Sequence, residues 1–142
     1  MTEITAAPAI AAPKGLNIGL WVTQCLLAAA FLMAGGMKIS APIEELQAQM
    51  PWVSGALGGA VRFIGAAEVL GAIGLLLPAA SRIQPKLTPL AAAGLTIVMI
   101  LAVATHIARG EMPMIAPGIV LGGMAAFVAW GRFIKAPIQP RG

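Results

Sequence analysis

The sequence predicts an all-α membrane protein: a four-transmembrane-helix bundle with a short interfacial helix between spans 1 and 2. Three observations lead there. Of 142 residues, 59% are hydrophobic and only 10% are charged, and mean hydropathy is +0.91. A soluble domain of this length has too little interior to hide so much apolar surface. The apolar residues also fall into four runs, each long enough to cross a bilayer core of about 30 Å. Finally, helices satisfy their own backbone groups, which lipid requires of any spanning segment.

Residues 1–13, rich in Ala, Pro and Thr, read as a flexible tail. The membrane domain is expected over 14–135 and a short C-terminal tail over 136–142. The first span runs from about Leu16 to Met37 and ends at Lys38. Ala28-Ala29-Ala30 resembles a signal-peptidase site, but the amino end carries Glu3 and the run stays apolar past the triplet, so a retained span is expected. Cys25 lies within this run. A single Cys makes neither an internal disulfide nor a thiolate metal site, and it reads as a small buried hydrophobe.

Between Lys38 and Gly55 the chain turns amphipathic. Ser40 is a candidate cap, Glu44 and Glu45 would sit in the first turns, and Ile43, Leu46 and Met50 recur at helical spacing before Pro51. This predicts a helix lying in the interface, with Trp52 at headgroup level. The second span, about Leu57 to Leu77, holds Arg62 near its start and Glu68 well inside, with Pro78 and the polar stretch Ser81–Lys86 forming the turn. The third, about Leu87 to Ile107, carries His106 at its end. Arg109-Gly110-Glu111 leads to a fourth, about Met114 to Arg132. Small residues four apart, such as Gly118 and Gly122, suit close helix packing.

Four spans place both termini and the second turn on one side. That side carries Lys14, Arg82, Lys86, Arg132, Lys135 and Arg141 against the single acid Glu3. The other carries Lys38, Arg62 and Arg109 against Glu44, Glu45, Glu68 and Glu111. The positive-inside rule then predicts cytoplasmic termini in a multi-pass cell inner-membrane protein. Because the basic residues are scattered and aromatics are sparse, nucleic acid is not an expected partner.

The alternating spans bring Lys38, Arg62 and His106 to similar depth on the non-terminal side. Glu68 lies roughly 9 Å deeper than Arg62 at 1.5 Å per residue. A carboxylate there costs about 2.5–3.5 kcal/mol unless paired, protonated or hydrated. Arg62 and Glu68 are about 120° apart on their helix, so they are not a simple same-face pair. His106 and Lys38 from neighbouring helices are equally reasonable partners. Glu68, His106, Arg62 and Lys38 are therefore the candidate ligand or proton site, with quinone as one ligand that such a pocket would suit. The competing reading is structural, with the basic residues reaching headgroups and Glu68 bridging two helices. No catalytic residue set, metal site or phosphate loop is expected.

Ala30-Phe-Leu-Met-Ala-Gly-Gly-Met-Lys38, Met50-Pro51-Trp52 and the run Arg62-Phe-Ile-Gly-Ala-Ala-Glu-Val-Leu-Gly-Ala-Ile-Gly-Leu-Leu-Leu-Pro78 resemble DoxX-like proteins. So do Leu87-Thr-Pro-Leu-Ala-Ala-Ala-Gly-Leu95, the terminal His106 and Trp130-Gly131-Arg132-Phe133. The resemblance implies a small four-helix bacterial membrane protein. Some relatives are subunits of thiosulfate:quinone oxidoreductase, others belong to membrane complexes that handle oxidative stress, and distant ones are assembly factors or cargo receptors. It implies a membrane subunit with no independent catalytic activity, a membrane or peripheral redox protein as partner, and a homo-oligomer as a further arrangement. A small-solute or proton-coupled transporter and a scaffold without small ligand are the alternatives.

Overall fold

A computed structural model describes residues 10–142 and is all-helical among them. The expected tail falls mostly on residues 1–9, outside the described residues. In order come α1 (Lys14–Ser40), α2 (Ile43–Gln49), α3 (Leu57–Ser81), α4 (Leu87–Ala108) and α5 (Ile115–Trp130), which continues as a π-turn over Gly131–Lys135. Four helices, including α5 with its flanking turns, are long and apolar enough to cross a membrane. Sequence neighbours among these four pack side by side, and α5 closes the ring against α1.

The core is apolar with a few small and polar residues built into it, and large aliphatic side chains cover the outer surface as well. The inward stripe of α1 is Leu20, Gln24, Leu27, Ala28, Phe31 and Gly35, and that of α3 includes Val61, Gly65, Glu68, Ala72 and Leu75. Small and polar residues take inward positions, while Ile18, Met33, Phe63, Leu70, Ile100 and Val120 remain exposed. Lipid is as apolar as Leu, so large aliphatic side chains gain little by turning inward, and close backbone approach decides the contact face instead. Gly71 meets Leu95 of α4, and Gly118 and Gly122 meet Val103 and Met99, so the GxxxG step serves the α4–α5 contact within the chain.

Three local expectations change. The helix α3 does not stop at Pro78 but runs on to Ser81. Proline removes the N–H that the Gly74 carbonyl would accept, and Thr88 Oγ1 of α4 donates to that carbonyl at 3.1 Å. The freed acceptor is thus satisfied from a neighbouring helix, as lipid demands. Ser40 is not a cap: it ends α1 and donates back to the Gly36 carbonyl, while Pro42 precedes α2 without a side-chain cap. Cys25 is exposed rather than buried, because Gln24 takes the inward position and the next residue turns about 100° away.

The interfacial helix α2 folds against the start of α3. Leu46, Val53 and Val61 form a small core of their own there, with Ile43, Met50 and Trp52 against it. This pins the α1–α3 connection to one end of the bundle, where the candidate charges lie.

Candidate functional site

Gly35 of α1 and Gly65 of α3 set the geometry. A Cβ on Gly65 would come within 2.7 Å of Lys38 Cβ and 2.8 Å of the Gly35 carbonyl oxygen. The two helices touch backbone to backbone, and side chains three residues on either side of Gly65 straddle that contact. Glu68 falls on one flank and Arg62 on the other, which explains why two residues about 120° apart both face α1.

Glu68, 2% exposed, receives both of its hydrogen bonds from Lys38, whose Nζ donates to Oε1 at 2.9 Å and Oε2 at 2.7 Å. Arg62 Nη1 donates to the carbonyls of Lys38 at 2.7 Å and Ile39 at 2.9 Å. These carbonyls belong to the last turn of α1 and have no helical partner. The guanidinium caps them and meets the negative end of the helix dipole. Lys38, Arg62 and Glu68 therefore come together as an interhelical clasp.

His106 does not join them. Its Nδ1 lies 2.7 Å from Glu111 Oε2, and Arg109 Nε donates to Glu111 Oε1 at 2.8 Å. The chain reversal responsible is local. Gly110 adopts φ of +71°, Glu111 N donates to the His106 carbonyl and Gly110 N to that of Ile107. This is the helix-ending motif in which a left-handed glycine folds the following residue back over the last turn. It delivers Glu111 to His106 across five residues, a shorter route than any interhelical one.

The Arg109 guanidinium, and after it the His106 ring, hold the Glu111 carboxyl below the usual carboxylate range. A group with a lowered folded-state pKa stabilises above its unfolded value and loses that contribution as pH falls through the folded value. The turn over 106–112 should therefore keep its hydrogen-exchange protection from pH 7 to 5 and lose it only once the pH falls below the ordinary carboxylate range. Loosening that begins above pH 5 would contradict this assignment.

Beside this turn lies an apolar groove of about 420 Å³ between α4 and α5, lined by Thr96, Met99, Val103, Ile107, Gly118 and Gly123 among others. Ile107, the residue after His106, lines the groove, while His106 and Glu111 are not among its lining residues.

A buried polar cluster at the opposite end was not anticipated. Arg132, expected as an interfacial charge, is 3% exposed. Its Nε donates to Gln24 Oε1 and Nη1 to Asn17 Oδ1, each at 2.7 Å. Gln24 Nε2 in turn donates to the Leu75 carbonyl at 2.7 Å. The signal was there: Asn17 and Gln24, seven residues apart, share one face of α1, a polar stripe within an apolar helix.

A profile of the DoxX-like family matches residues 22–128. The chain belongs to the DoxX-like family. The match covers all of α2, α3 and α4 and most of α1 and α5, so it includes Lys38, Arg62, Glu68 and His106. No curated protein and no solved structure matched the chain. Four spanning helices and this membership make it a multi-pass DoxX-like membrane protein.

Proposed function

We propose that this DoxX-like protein is a non-catalytic inner-membrane subunit that gives a redox partner access to the quinone pool, with both termini cytoplasmic. One juxtaposition carries the reading: the apolar groove between α4 and α5 reaches Ile107, the residue next to His106, whose ring pairs with Glu111. A quinone has the matching construction, an apolar body with a carbonyl that accepts a hydrogen bond and a proton upon reduction. The groove would take the ring or isoprenoid chain. His106 would offer a donor to the carbonyl, with Glu111 orienting the imidazole. Lys38, Arg62 and Glu68 spend their hydrogen bonds on the α1–α3 clasp, so their part is to hold the bundle rather than to touch ligand.

The test is quinone content of the protein purified in mild detergent, extracted into solvent and quantified. Wild type should retain quinone in near-stoichiometric amount. His106→Leu and Gly123→Leu should each lower it at least severalfold, the second by filling the groove at a position where a Cβ meets nothing within 4 Å. Unchanged retention in both variants, or no quinone in wild type, would reject the proposal.

A further inference from the structure

A second cavity, of about 470 Å³, opens at the end of the bundle that carries the described chain ends; Lys14, Asn17, Trp21, Arg82, Arg132 and Ala136 are among its walls. Its charge is one-sided. Lys14, Arg82 and Arg132 line it and no acid does; Glu44, Glu45, Glu68 and Glu111 lie at the opposite end, and Glu3 is outside the described residues.

Arg132 is the decisive member. Every partner of its buried guanidinium is neutral: Gln24, Asn17 and, at 3.2 Å, the Ala136 carbonyl. The Trp21 ring lies 5.4 Å from its central carbon. Among the described residues, Nη2 is buried with no hydrogen-bond partner. A buried cation with unmet donors and no counter-charge is among the most costly arrangements in a protein interior, and within a membrane it marks a functional position.

Two features of the surroundings point the same way. Helix α1 starts at this cavity with Lys14, with no acid in its first turn and no side-chain cap. A cation beside the positive end of a helix dipole is unfavourable unless an anion joins them, and free first-turn N–H groups are ready donors for one. The cavity wall is also held in place. Arg82 Nε donates to the Gln139 carbonyl at 2.9 Å, and Arg141 N donates to the Arg82 carbonyl at 2.9 Å, which straps residues 136–138 across the opening.

We infer that this cavity is an anion site that takes a phosphate group, bound by Arg132, Lys14 and the amino end of α1. More than one cation faces it, which suits a phosphate better than a lone carboxylate, and Arg offers planar paired donors to phosphate oxygens. The phosphate is either that of an anionic phospholipid headgroup entering from the bilayer or a soluble one. The site is separate from the His106 groove and does not depend on the quinone reading.

The full chain in detergent, stripped of lipid, would be titrated separately with phosphatidylglycerol, phosphatidylcholine and inorganic phosphate, with binding followed by native mass spectrometry and thermal shift. One phosphatidylglycerol per chain, preferred over phosphatidylcholine, assigns the site to a lipid headgroup; saturable binding of inorganic phosphate alone assigns it to a soluble ligand. Lys14→Gln, at an exposed position that leaves the core intact, should weaken binding about tenfold, the worth of one charged hydrogen bond. Lys135→Gln, equally basic but outside the cavity, should leave it unchanged. Absence of binding by both phosphatidylglycerol and inorganic phosphate overturns the proposal, as does equal weakening by both variants. Binding that emerges only in Glu3→Gln would also overturn it, since the chain's own carboxylate would then be the occupant.

Discussion

Glu68→Ala is expected to destabilise the bundle by about 3–5 kcal/mol, the cost of leaving one member of a buried ion pair without its partner. The carboxylate takes both hydrogen bonds from Lys38 at 2.9 and 2.7 Å, and its removal strands the ammonium on the inner face of α1. Denaturation in mixed detergent, followed by helical circular dichroism, would measure the loss. The double variant Lys38→Met with Glu68→Leu should recover most of it, because apolar side chains of similar volume replace a buried pair at little net cost. Wild-type stability in Glu68→Ala would mean that the pair does not hold α1 to α3. Failure of the double variant to recover stability would show that the charges do more than hold helices together.

Gly35→Ala carries the second large effect, and its sign can be separated from helix propensity. A methyl at position 35 would meet the Gly65 carbonyl oxygen at 2.7 Å and Glu68 Cβ at 3.0 Å. A carbonyl oxygen belongs to the backbone and cannot rotate away, so the helices must part and carry Lys38 away from Glu68. Overpacking of this kind costs about 1–3 kcal/mol. Gly36→Ala, one residue on, places its methyl where nothing lies within 4 Å. There the ordinary preference of a helix for Ala over Gly, about 1 kcal/mol, should make the change neutral or stabilising. The paired measurement by the same detergent titration gives opposite signs if the contact is as close as described; equal effects would refute the backbone-to-backbone contact.

What was legible and what was not follows the range of each interaction. The Arg109–Glu111–His106 cluster is local: a glycine after a helix end with an acid next to it is a pattern along the chain. Helices alternating through a bilayer suggest partners across the bundle, whereas the partner of His106 lies five residues along the chain, returned through Gly110. Lys38 was one of several partners open to Glu68, since charge and depth restrict the candidates but helix rotation selects among them. Arg132 looked like an interfacial charge because it ends a span. Only the packing of α5 against α1 places it beside Gln24 and Asn17. The continuation of α3 through Pro78 had no sequence signal of its own, because the hydroxyl that permits it comes from Thr88 on another helix.

By itself, the sequence determined the solvent and the topology. Hydrophobic runs of membrane length, interrupted by short polar turns, leave four crossings as the arrangement that satisfies the backbone in lipid. The distribution of basic residues separates the two ends, and the motifs from Ala30 to Phe133 carry the family resemblance. The tertiary structure alone decided how the polar residues are used. In a bilayer nearly every helix face is compatible with apolar surroundings, so hydropathy does not specify rotation. Rotation is set by where glycines allow backbones to meet and where each buried charge finds donors or acceptors. Those contacts make Lys38, Arg62 and Glu68 a clasp, give His106 to Glu111 beside the groove, and leave Arg132 buried with a donor unmatched.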